Sequence, residues 1–91
     1  MARYRRPQNI DIQPMDNTWI ILDLAGDAYY SLNASARWYL ENLLDGVDAE
    51  TLAGMAEQRY EALSRETALT DIQALISELC RLKLLVDTEA G

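Results

Sequence analysis

The chain contains no histidine and a single cysteine, Cys80. The first absence removes the commonest general base and the commonest metal ligand. No Ser-His-Asp or Cys-His catalytic set can be assembled. One thiol supports neither an internal disulfide nor a multi-cysteine zinc site. Long apolar runs are also lacking: the longest, Trp19-Ile20-Ile21-Leu22, is far short of the roughly 20 residues that cross a bilayer. Arg3, Arg5 and Arg6 have no apolar stretch behind them, so the N-terminus does not read as a secretory signal and a cytoplasmic location is expected. No cofactor and no metal are expected.

Basic charge is scarce and unevenly placed. The 91 residues carry 8 Lys+Arg against 15 Asp+Glu, a formal net charge of -7. Residues 1–6 hold 3 of the basic groups and no acid, leaving 5 basic against 15 acidic groups, a net of -10, in the remainder. Such a body repels nucleic acid and anionic lipid, so neither is an expected partner. What is present is ordinary for one globular domain: 49% hydrophobic and 25% charged residues. Ninety-one residues bury one modest core and leave no room for two.

The first third of the chain reads as strands and the rest as helices. Asn9 to Gln13 alternates apolar and polar residues between Pro7 and Pro14, which suits a short strand with prolines at its ends. Asp16-Asn17 is turn chemistry. Thr18 to Leu24 is rich in β-branched and aromatic residues and reads as a second strand. Ala25-Gly26-Asp27 is a turn, and Ala28 to Leu32 a third strand. A three-residue loop would place Ile20, Leu22, Leu24, Ala28, Tyr30 and Leu32 on one face, which is the expected core face. The other face then carries Trp19, Ile21, Asp23, Tyr29 and Ser31. A two-residue loop would mix Asp23 into the face with Tyr30 and Leu32, and a one-residue shift flips a whole strand. Trp19, Ile21 and Tyr29 on the outward face read either as covered by the N-terminal segment or as a self-association patch, a weak homodimer contact.

Three helices follow. Asn33 is the expected N-cap of the first, which runs to about Asp45 and is ended by Gly46. Asp48 caps the second, about Ala49 to Ala62. Ser64 to Leu69 reads as a polar link. Thr70 with Gln73 reads as the capping box of the third helix, with Ile72, Leu75, Ile76, Leu79 and Leu82 as its apolar stripe. Leu84-Leu85-Val86 reads as a short extended tail or fourth strand. The expected fold is α+β: a three-stranded antiparallel sheet followed by three α-helices, similar to a winged helix-turn-helix. The expected organisation is a flexible basic arm at 1–8, a domain at 9–86 and a disordered tail at 87–91.

Candidate sites are few. Asp45 with Asp48, and Asp23 with Asp27, are carboxylate pairs that flank glycine turns, where capping chemistry itself calls for Asp. Cys80 lies beside an apolar stripe and reads as a small core residue. The third helix balances Asp71 and Glu78 against Arg81 and Lys83, so it offers no basic recognition surface to DNA. The third strand is the informative element. In a sheet ordered 1-2-3 it lies at an edge with unpaired backbone groups, a template for strand addition by another peptide. Between Ala28 and Leu32 it has no Pro, no Lys and no bulge signal. The third helix should lie beside it, making strand and helix the two walls of an apolar groove.

The ordered set Leu22-Asp23, Gly26, Tyr30, Leu32-Asn33, Trp38, Leu43-Leu44 and Gly46 resembles the PqqD-like family of pyrroloquinoline quinone biosynthesis proteins. Asp71-Ile72, Leu75-Ile76, Leu79 and Leu84-Leu85 continue the resemblance, which spans roughly residues 9–86. Members are RiPP recognition elements, including quinone-cofactor chaperones and discrete lasso-peptide leader-binding proteins. The resemblance implies a non-catalytic adaptor that binds the leader segment of a precursor peptide and hands it to a leader peptidase or another modifying enzyme. The leader would pair with Ala28, Tyr29, Tyr30, Ser31 and Leu32. Leu75, Glu78, Leu79 and Leu82 would form the opposite wall, with Asp71 and Arg81 selecting charged positions at its ends. One position departs from the pattern: a glycine often precedes the final Leu-Leu pair, and here it is Lys83. The competing readings are a winged-helix transcription regulator and a structural or oligomerisation domain.

Overall fold

The computed structural model describes residues 4–16, 18–24 and 29–88. Strands β1 (Tyr4–Arg5), β2 (Ile10–Met15), β3 (Thr18–Asp23) and β4 (Tyr29–Leu32) precede helices α1 (Ala34–Leu44), α2 (Ala49–Arg59) and α3 (Arg65–Arg81), and β5 (Val86–Asp87) closes the order. The main sheet is antiparallel in the order β2-β3-β4, and the three helices follow it. This is the α+β arrangement expected.

The register corrects the expected facing of the hairpin. Ile21 pairs with Tyr30 and Trp19 with Leu32, one residue away from the expected alignment. The core face is therefore Trp19, Ile21, Asp23, Tyr30 and Leu32, with Ile10, Ile12 and Pro14 of β2 beside them. Ile21 and Leu32 are fully buried, whereas Leu22 and Leu24, expected in the core, are exposed. The β2 pairing explains the choice. Ile10 and Ile12 alternate with polar residues, so the parity of β2 is unambiguous, and Ile12 opposite Ile21 forces Ile21 inward. Trp19 and Ile21 thus share the core face, and Tyr29 lies on the other. Trp19 lies under the Arg37 guanidinium, 3.5 Å from the ring centroid, and Tyr29 faces the other way, so the expected dimer patch does not exist as one face.

The helices start and stop on identifiable residues. Asn33 Oδ1 accepts from the Ala36 N–H at 2.8 Å and Asp48 Oδ1 from the Thr51 N–H at 2.7 Å, each satisfying an orphan donor. Residue 46 has φ +96°, the left-handed geometry that favours glycine. Helix α2 ends earlier than expected: Tyr60 is extended and sets its ring edge-on to Trp38 at 6.1 Å. Helix α3 starts earlier than expected. Ser64 Oγ, not Thr70, caps it by accepting from the Thr67 N–H at 3.1 Å. The Glu57 carboxylate takes the Arg65 N–H at 3.1 Å, and Thr70 donates back to the Glu66 carbonyl from inside the helix. The added turn buries Ala68, extending the inner stripe to Ala68, Ile72, Leu75 and Leu79.

The end of α3 turns sharply at Lys83, φ +61°. The Leu84 N–H reaches the Leu79 carbonyl at 2.8 Å and the Lys83 N–H the Cys80 carbonyl at 3.0 Å, a Schellman closure. Leu84 and Leu85 are buried. Tyr4 and Arg5, expected in a flexible arm, instead pair with Val86 and Asp87 in a second, two-stranded sheet. The core joins Ile10, Ile21 and Leu32 of the sheet to Leu40 and Leu43, Leu52 and Ala56, and Ile72 and Leu79. Each such Ile or Leu side chain contributes about 1.5–3 kcal/mol of burial.

Candidate functional site

Strand β4 ends the sheet order, and among the described residues no strand pairs with its outer edge. In an antiparallel strand alternate residues direct their N–H and C=O away from the neighbour, so two of the four β4 residues, Tyr29–Leu32, present free backbone groups outward. Beside this edge runs a groove of about 480 Å³. Tyr30 forms its strand side. Asn33, Ser35, Ala36 and Tyr39 of the α1 segment form its floor, and Asp71, Ala74, Leu75 and Glu78 of α3 its far wall. The α3 residues fall at i, i+3, i+4 and i+7, one face of a helix. A second hollow of about 400 Å³ shares Asn33, Ser35, Tyr39 and Asp71 and adds Tyr60, Ala62 and Leu63. The two adjoin at these shared residues and are together called the channel.

The charged groups lining the channel are Asp71 and Glu78, both acidic. Glu78 is tied to Arg81, whose Nε reaches it at 3.2 Å, and this pairing holds the Glu78 carboxyl below its usual range. Burial first, and then the charge of Asp71, raises the Tyr39 phenol. Hydrogen bonds to Ser35 and Arg59 lower that of Tyr60. The channel therefore combines apolar surface (Ala36, Ala74, Leu75), phenol hydroxyls and a carboxylate at Asp71.

The expected site residues divide. Tyr30, Asp71, Leu75 and Glu78 are brought together on the channel. Tyr29 and Ser31 contribute backbone to the same edge, but their side chains lie on the opposite sheet face. Leu32 and Leu79 are fully buried and support the two walls from behind. Arg81 is exposed and reaches the channel through Glu78. Leu82 is the half-buried C-cap of α3 and lies off the channel lining. Ala28 lies outside the described residues. The α1 floor was not foreseen. Ala74 was legible from its spacing between Asp71 and Glu78, whereas no periodicity says which part of the wide α1 stripe borders β4.

Elsewhere, Asp45 and Asp48 serve as the C-cap of α1 and the N-cap of α2. Asp23 lies in β3, and its partner Asp27 is outside the described residues. Burial pushes the half-buried Cys80 thiol up, toward the unreactive form. A cavity of about 620 Å³ lies between Tyr4, the start of α2 and another face of α3, at Gln73, Ile76 and Ser77. It borders no free strand edge of the main sheet. Among the described residues no cluster of metal-ligating side chains and no membrane-crossing helix occurs.

Residues 18–85 match the family of coenzyme PQQ synthesis protein D (PqqD). The structure is similar to a solved structure described as lasso peptide synthetase B1 complexed with the leader peptide, with TM-score 0.84 and 29% identity over 93% of this chain and 99% of that one. It shares its fold with TbiB1 in complex with the TbiA(beta) leader peptide, TM-score 0.74, 21% identity, covering 89% of this chain and 93% of that one. No curated protein sequence matches the chain.

Proposed function

The chain belongs to the PqqD family, and from that premise we propose that it is a non-catalytic RiPP recognition element. In this reading it binds the leader segment of a ribosomally made precursor peptide and delivers it to a modifying enzyme, a leader protease or a radical enzyme. The observation that carries it is the outer edge of β4, which no strand among the described residues covers, facing Asp71, Ala74, Leu75 and Glu78 across the channel. A similar solved structure is described as complexed with a leader peptide, which supports the same reading.

The leader adds as a fourth strand of the main sheet, beside β4. Backbone hydrogen bonds to the β4 edge supply affinity without regard to sequence, and the channel supplies selectivity. Alternate leader side chains enter between Tyr30 and Leu75, over the floor of Ala36 and Tyr39. Asp71 favours a cationic or hydrogen-bond-donating leader residue at its end of the channel. Ordering the leader opposes these gains, so the net is roughly −8 to −12 kcal/mol, a micromolar to nanomolar Kd.

Two measurements test it. A fluorescein-labelled leader segment of its cognate precursor should bind one-to-one in fluorescence polarisation. A Kd weaker than about 1 mM, roughly −4 kcal/mol, counts against the reading. The chain should also raise the rate of a cognate modifying enzyme on full-length precursor. Equal rates with and without it overturn the delivery role.

A further inference from the structure

The main sheet has a second face, turned away from the helices, and its character changes across the strands. Strand β2 presents Asp11 and Gln13 there, hydrogen-bonded to each other at 2.5 Å. Strand β3 presents Ile20 and Leu22, and β4 presents Tyr29 and Ser31. The register lines these up in two rows, Asp11–Leu22–Tyr29 and Gln13–Ile20–Ser31. A solvated sheet face is expected to be polar throughout; in the two rows that reach β4 the β2 side is polar, and Met15 of β2, 56% exposed, lies beyond them opposite Thr18. Toward β4 the face turns apolar: Leu22 is 37% exposed and Tyr29, directly opposite it, 70% exposed. The apolar row thus runs outward from β3 and stops at the free edge, where the next strand would lie.

We propose that the leader strand is read on both faces, and that Tyr29 with Leu22 forms a selectivity site for an apolar leader residue on the open face. The inference rests on the strand-addition reading above. A strand beside β4 continues the pleat, so its side chains alternate between the channel and the open face. The residue beside Tyr29 completes the row Asp11–Leu22–Tyr29, with its Cβ about 4.5–5.5 Å from that of Tyr29. An aromatic or branched aliphatic side chain fits that place. The position two residues away lies beside Ser31 and is polar or small. The occupant is the leader and not a second copy, because in the rows that reach β4 the apolar surface is continuous with the edge the leader pairs with and gives way to Asp11 and Gln13 at the β2 side, while Met15 lies opposite Thr18, in a row that has no β4 member.

A phage-displayed library of random 14-residue peptides selected on the wild-type protein tests this. Selected peptides should show an apolar residue at one open-face position and a polar one two residues on, between apolar channel-facing positions. Reselection on Tyr29→Ser should abolish the preference at that one position and keep the channel-facing ones. A peptide from the first selection should bind Tyr29→Ser and Leu22→Ser about three- to tenfold more weakly in polarisation titrations. Both sites are exposed enough for the fold to survive, which circular dichroism checks. Unchanged affinity, or loss of the channel-facing preferences instead, overturns the two-face inference while strand addition stands. Selected peptides that bind Ser31→Pro as well as wild type overturn strand addition and the inference with it. A concentration-dependent dimer abolished by Tyr29→Ser would assign the patch to a second copy and likewise overturn it.

Discussion

The two edges of the main sheet are unequal, although both belong to the same three strands. The β2 edge carries Pro14, which has no N–H to offer, and the Arg6 guanidinium takes up the Ile10 carbonyl at 3.1 Å. The β4 edge carries neither device. Proteins ordinarily blunt a free edge, because it invites pairing with any extended chain. One edge is blunted here and the other, among the described residues, is left open, with a helix set back from it by a channel. An edge by itself gives affinity without selectivity. In the proposed reading the α3 wall supplies what backbone pairing lacks, so the difference between the edges marks where a particular peptide, and not merely any strand, would be accommodated.

The largest effect should come from making the β4 edge resemble the β2 edge. Ser31→Pro removes an N–H from a four-residue strand and should weaken leader binding at least 100-fold in polarisation titrations while helix content is retained. A folded variant with wild-type affinity would sink the strand mechanism. The converse change, Pro14→Thr, restores an N–H at the other edge and should leave leader affinity within twofold and the stoichiometry at one-to-one. A second bound leader would mean that the channel is dispensable. An intermediate effect should follow from closing the channel with the edge intact. Ala74→Glu keeps a good helix former at an exposed position and places a third carboxylate between Asp71 and Glu78. Leader binding should weaken about tenfold, a loss near 1.4 kcal/mol. An unchanged Kd would show that α3 does not face the leader.

The order of strands and helices, the caps Asn33 and Asp48, the stop at Gly46 and the open third strand could all be read from residue types. Each is a local rule with a local residue. The facing of β3 could not be read from β3 itself, because Trp19-Ile20-Ile21-Leu22 is apolar at both parities and alternation carries no signal there. The information lay in β2, whose Ile10 and Ile12 alternate cleanly and transmit their parity through the pairing of Met15 with Thr18. The start of α3 was obscured for a related reason: its first turn buries only Ala68, so Ser64 to Thr67 look like a link. The channel floor depends on which side of α1 meets β4, a tertiary choice that no window of the sequence encodes.

The smallest expected effect separates the stability of the α3 wall from the chemistry of the edge. Helices α1 and α3 close by the same motif, with the Val47 N–H on the Asn42 carbonyl at 3.0 Å in one and the Leu84 N–H on the Leu79 carbonyl at 2.8 Å in the other. The left-handed residue is Gly46 in the first and Lys83 in the second. A side chain in that conformation costs about 1–2 kcal/mol, and a glycine there gives back part of the gain through the larger freedom of the unfolded chain. Lys83→Gly should therefore stabilise the fold by about 0.5–1 kcal/mol, raising the thermal midpoint by roughly 2–6 °C. Gly46→Ala should lower it by a comparable amount, since its Cβ would meet no neighbour and the cost is conformational alone. Neither residue lines the channel or the β4 edge, so leader affinity should stay within twofold in both. A Lys83→Gly protein with an unchanged or lower midpoint would show that the turn carries no conformational cost. One that gains stability but loses leader affinity would show that the α3 wall must yield to admit the peptide, and that the two edges differ in compliance as well as in shape.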